Sequence, residues 1–151
     1  MTLDSLGKRL SDYPSTKDAL STESIEHTIE GVGTSRIVIQ HPKDNSKAVK
    51  FGVGLSGYRQ NKTEVKVYQA AVEYDVDDVL VPVLEYAEDY SWIVMPLIDC
   101  PEGKVGKVVG PKAKDIRQKL AEEDIFLYEL ETVRHEGSVK AYDYGSTQDK
   151  I

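Results

Sequence analysis

The sequence predicts an α+β chain: a five-stranded antiparallel sheet with one packed helix, followed by a linker, a short helix and a β-hairpin. Three observations carry this. Short β-branched apolar runs recur between Ile25 and Ile98, separated by Gly-rich or acidic turn stretches. One longer stretch, from about Arg59 to Tyr74, instead spaces Val65, Tyr68 and Val72 at helical intervals. Beyond Cys100 the composition shifts to Pro, Gly and Lys, and a second helical pattern begins at Gly110-Pro111, with Pro near its first position.

Taken in order, residues 4–12 read as an amphipathic helix capped by Asp4 or Ser5, with Leu3, Leu6 and Leu10 on one face. Pro14 to Thr22 reads as a polar connector. Ile25 to Ile29 and Ser35 to Gln40 form a hairpin with Gly31 and Gly33 at its tip, and Ala48 to Val53 form a third strand. Gly52, Gly54 and Gly57 read as a flexible link to the helix. Val79 to Tyr86 and Ser91 to Ile98 are two more strands, joined through Glu88-Asp89-Tyr90. The helix from Gly110-Pro111 runs to about Glu123, and Ile125 to Val133 pairs with Ser138 to Tyr142 around Glu136-Gly137.

With 151 residues one domain is the default, and 40% hydrophobic with 30% charged residues describes a globular rather than a disordered chain. The net charge of −7 argues against general nucleic-acid or anionic-membrane binding. No run is long enough for a membrane span, and the start does not read as a signal peptide. A single cysteine, Cys100, excludes an internal disulfide and points to a reducing, cytoplasmic setting. His27, His41 and His135 fit no metal-ligand spacing and read as solvated strand ends. Nine tyrosines read as scattered aromatic packing.

Lys50 is the residue that asks for an explanation. It is a charged side chain inside the apolar run Ala48-Val49-Lys50-Phe51, so its charge needs a carboxylate or a bound anion. The Gly-tipped hairpin, the strand with its lysine and the following helix together resemble the small lobe of the protein kinase superfamily, over residues 25–98. The glycine pattern departs from that family, because Arg36 stands where the third glycine falls.

The resemblance implies roles residue by residue. Gly31, Gly33 and Thr34 would cover the phosphates of ATP. Lys50 would hold its α- and β-phosphates, and Glu64, 14 residues later, would pair with Lys50. Trp92 to Leu97 resembles the strand entering the kinase hinge, so Met95 and Leu97 would line an adenine pocket. Asp143-Tyr144-Gly145 resembles the metal-binding Asp-Phe-Gly, with Asp143 as a Mg²⁺ ligand. Asp124 lies 19 residues before Asp143, near the family's catalytic aspartate, and Glu129 stands five residues after it as a second metal ligand. Neither His nor Arg precedes Asp124, and the segment between Asp124 and Glu129 reads as a strand.

The organisation expected is an N-terminal helix and connector (1–24), a kinase-like small lobe (25–98), a linker (99–114) and a truncated large-lobe stub (115–151). Because the sequence stops six residues after Gly145, the resemblance implies a catalytically weak or inactive, pseudokinase-like protein that binds nucleotide with Mg²⁺. The alternatives are an active minimal phosphotransferase and an unrelated structural or interaction protein. Nucleotide is the expected ligand, and a protein is the second class of partner.

Overall fold

The computed structural model describes residues 2–98, 106–107, 111–127, 131–142 and 144–145. Two helices, Leu3–Ser11 (α1) and Thr16–Thr22 (α2), precede the strands Ile29–Val32 (β1), Arg36–His41 (β2) and Asp44–Gly52 (β3). The helix Gly54–Glu73 (α3), a 3₁₀ turn at Asp77–Val79, and the strands Glu85–Tyr86 (β4) and Trp92–Pro96 (β5) follow. The remainder is Gly106–Lys107 (β6), the helix Pro111–Ala121 (α4) and the hairpin Glu131–His135 (β7) with Ser138–Tyr142 (β8).

The fold is α+β, with a five-stranded antiparallel sheet in the order β1-β2-β3-β5-β4 and a second sheet in the order β6-β7-β8. The chain divides into two compact units: Met1–Lys62 with Val83–Leu97, and Thr63–Pro82 with Ile98–Ile151. Among the described residues no helix is long and apolar enough to cross a membrane.

In the first unit the core lies on one face of the sheet. Strand alternation sends Ile37, Ile39, Val49, Phe51, Val53, Trp92 and Val94 to that face, where Leu6 and Leu10 of α1 and Ala19 of α2 cover them. The N-terminal segment is therefore part of this unit's core. Thr2, rather than Asp4 or Ser5, caps α1 by accepting the Ser5 N–H (3.1 Å). Asp4 is occupied elsewhere, accepting from Trp92 Nε1 at 2.8 Å. The expected connector contains α2, capped by Ser15 and held by its buried Thr16 and Ala19.

The glycines before α3 are a close contact rather than a flexible link. The helix begins at Gly54, and a Cβ on Gly57 would lie 2.5 Å from the Ser35 carbonyl oxygen and 2.6 Å from the Gly52 backbone. Only a residue without a side chain lets the first turn of α3 lie against the ends of β2 and β3. The Ser35 and Ser56 hydroxyls join the same junction at 2.7 Å, and the Ser35 carbonyl accepts the Val53 N–H at 2.8 Å.

The buried stripe of α3 also differs from the expected one. Val65 is buried, but Val72 is half exposed, and the stripe runs through Asn61, Glu64, Val67 and Ala71. An apolar count reads Asn61 as surface. The helix ends in a Schellman motif, with Asp75 at φ 58° and the Val76 N–H on the Ala71 carbonyl at 2.8 Å.

The expected strand Val79 to Tyr86 splits between the two units. Glu85–Tyr86 pairs with β5, whereas the Val81 N–H donates to Ala141 of β8 at 2.9 Å. Pro82, which has no N–H, separates the two pairings. Within the expected linker, Gly106–Lys107 pairs with β7. The last hairpin turns at Glu136-Gly137, both at positive φ as a type I′ turn requires, and Glu131–His135 of the expected first strand forms β7, residues 128–130 lying outside the described residues. Three of the nine tyrosines are grouped rather than scattered: Tyr86 stacks on Tyr90, and Tyr58 meets Tyr90 edge-on, each pair with centroids 6.0 Å apart.

Candidate functional site

The second face of the five-stranded sheet carries the lysine. Lys50 is paired in register with Val38 of β2 and Ile93 of β5, and Ala48 is opposite Met95. These residues have the opposite parity to the core cluster, so they point away from α1 and α2. Lys50 is only 2% exposed, and Ala48, Ile93 and Met95 are buried around it. The face therefore combines one buried ammonium with small and flexible apolar neighbours, and Val38 is half buried beside them.

One polar side chain of α3 organises this region. Asn61, fully buried, accepts from Arg36 Nη1 at 3.3 Å through Oδ1. Its Nδ2 donates to the Lys50 carbonyl at 3.3 Å and to the Tyr90 carbonyl at 2.9 Å. A guanidinium only donates and a carbonyl only accepts, so the orientation of the amide is unambiguous. Arg36, which breaks the expected glycine pattern, is a buried first residue of β2 with this structural partner. Sequence reasoning passed over Asn61; its signal was a polar residue one helical turn after Gly57, on the close-contact side of α3.

The glycine turn departs from expectation in detail. Gly31 lies inside β1, opposite Val38 and next to a register shift, so only Gly33 begins the turn. The Gly33 N–H donates to the Arg36 carbonyl at 2.8 Å, and its own carbonyl accepts from the Thr16 hydroxyl of α2 at 2.8 Å. Thr34 is exposed at the tip. A Cβ on Gly31 would meet nothing within 4 Å, which leaves open space beside the strand.

Met95 is buried in β5. Leu97 is more restricted. Its N–H donates to the Ser46 carbonyl at 2.8 Å, and Pro96 has no N–H, so neither can donate to a purine from this position.

In the second unit, Glu64 is fully buried. Asp124 is exposed and ends α4 in a left-handed conformation, φ 59°. The Asp124 N–H reaches the Ala121 carbonyl and the Ile125 N–H the Leu120 carbonyl, both at 3.0 Å, a second Schellman motif. That geometry is a sufficient structural reason for a short polar residue there. Asp143, Glu129 and Cys100 lie outside the described residues. Their neighbours are placed: β8 ends at Tyr142, and Tyr144 is fully buried with its hydroxyl donating to the Val81 carbonyl at 2.6 Å.

Among the described residues no group of three His, Cys, Asp or Glu side chains is placed to hold a metal ion. His27 and His41 are half buried rather than solvated, and they line an open polar depression of about 640 Å³ with Lys43 and Asp44, at the opposite end of β3 from Lys50. No protein-family model matches the chain, and no curated protein matches it.

Proposed function

We propose that this chain is a kinase-like nucleotide-binding protein with weak or absent phosphoryl-transfer activity. The observation that carries the reading is Lys50: a buried ammonium in the central strand, on the sheet face turned away from the unit's apolar core. Phosphate oxygens make strong charge-assisted hydrogen bonds with an ammonium.

The residues present fit such a ligand. In this reading Lys50 would supply the cation, Gly33 with Thr34 the turn, and Ala48, Val38 and Met95 apolar neighbours for a base. Bound Mg·ATP would supply the transferable phosphoryl group and the charge neutralisation of its phosphates. Asp143 and Glu129 are the residues proposed toward Mg²⁺. The chain's own contribution is to bind and orient the phosphates. Asp124 has a helix-ending role that explains it without catalysis, which favours a weak or inactive protein over an active phosphotransferase.

Thermal unfolding with and without Mg·ATP tests this. A ligand at ten times its Kd stabilises the native state by about 1.4 kcal/mol, or a Tm rise of roughly 3–6 °C for a chain of this size. Lys50→Met should abolish the rise. No shift for the wild-type chain at millimolar Mg·ATP would reject the reading and leave an interaction module.

A further inference from the structure

We propose that Asn61 is a positioning residue that holds the backbone of Lys50 in register for a phosphate ligand. The inference rests on the reading of Lys50 as the phosphate-binding cation, and its test separates the two.

Three elements converge on one amide. Arg36 opens β2, Lys50 lies toward the end of β3, and Tyr90 closes the β4–β5 turn at φ 59°. Asn61 hydrogen-bonds all three from α3, at 3.3 Å to Arg36, 3.3 Å to Lys50 and 2.9 Å to Tyr90. The Lys50 bond is to the carbonyl of the lysine itself rather than to a neighbouring strand residue. Displacement of the amide therefore acts on the residue whose side chain would meet the anion.

The start of α3 is fixed independently, through Gly57 against Gly52 and Ser56 against Ser35. Asn61 lies one turn further along the same helix, so its amide arrives at a set height above β3. The tight junction sets the helix and Asn61 transmits that setting to Lys50. In this arrangement the first half of α3 cannot swing away without breaking three hydrogen bonds at once, two of them buried. The strand bearing Lys50 is thus held ready before any ligand arrives, which lowers the ordering cost of binding.

The test combines residue-resolved amine labelling by acetic anhydride, read by mass spectrometry, with Mg·ATP affinity by calorimetry. Asn61→Asp keeps the size and the acceptor toward Arg36 but removes both donors. Lys50 should then label several-fold faster relative to the exposed Lys17 and Lys43, and Mg·ATP should bind about tenfold more weakly, the loss expected for about one net hydrogen bond. Ile39→Val, a core change on the opposite sheet face, controls for general destabilisation and should change neither ratio. Asn61→Ser carries the same expectation where Asn61→Asp does not fold. Unchanged Lys50 labelling in a cooperatively folded Asn61 variant would overturn the positioning role. A wild-type chain that binds no Mg·ATP, yet whose Lys50 labelling responds to Asn61→Asp and not to Ile39→Val, would leave Asn61 in place and reject the nucleotide reading.

Discussion

Gly57→Ala is the sharpest probe of how the Lys50 strand is held. The added Cβ would lie 2.5 Å from the Ser35 carbonyl oxygen and 2.6 Å from Gly52 Cα, where ordinary contact begins at 3.4 Å. Both obstacles are backbone, so no side chain can rotate aside, and the helix start must retreat by about 0.9 Å. Ala is the better helix former by up to about 1 kcal/mol, an opposing gain that is smaller near the helix start. Overpacking against rigid neighbours costs about 1–3 kcal/mol. Retreat also stretches the Asn61 hydrogen bonds, each worth about 1 kcal/mol. The clash therefore wins, with a net loss of about 2 kcal/mol and a Tm fall of roughly 4–8 °C. Urea and thermal unfolding of Gly57→Ala against Gly31→Ala measure it, because a Cβ at Gly31 would meet nothing within 4 Å. Gly31→Ala should stay within about 0.5 kcal/mol of wild type. A Gly57→Ala protein as stable as wild type, or more so, would refute the close-contact argument.

Other expectations follow from the same geometry. Asp124→Gly should raise stability by about 0.5–1 kcal/mol, since glycine adopts φ 59° without steric cost; a clear loss in urea unfolding would instead point to a role for the carboxylate. Lys119→Ala removes an exposed 2.8 Å ion pair with Asp78, so the loss should stay below about 1 kcal/mol and shrink further in added salt. Asp44, Asp78 and Asp89 are all held below the ordinary value of 3.8, by hydrogen bonds from Ser46, Lys119 and Ser91 respectively. Folded values below the unfolded ones mean stability that is present above about pH 4 and lost as pH falls through the lowered values. A urea-midpoint series should show that acid loss, and Asp89→Asn should reduce it. Labelled ATP with a generic protein substrate should give negligible transfer; robust transfer abolished by both Lys50→Met and Asp124→Asn would establish an active phosphotransferase.

The sequence by itself determined the class of fold, the order of the main strands and the singular position of Lys50. Those features are local. Alternation of β-branched residues specifies β2, β3 and β5, the Glu136-Gly137 turn demands positive φ, and a lysine in an apolar strand is conspicuous wherever the strand goes. Tertiary structure decided the rest. Whether Pro14 to Thr22 is connector or helix depended on what Ala19 packs against, and whether Gly52 and Gly57 are flexible or tightly packed depended on the backbone opposite them. Val79 to Tyr86 is one apolar run in sequence, but its two ends find hydrogen-bond partners in different units. Asn61 shows the reason most clearly. A polar residue on a helix looks solvated until the three groups that satisfy its amide arrive, and they come from residues 36, 50 and 90. Periodicity encodes which face of an element is apolar; only the folded chain brings together the donors and acceptors that make a buried polar group tolerable.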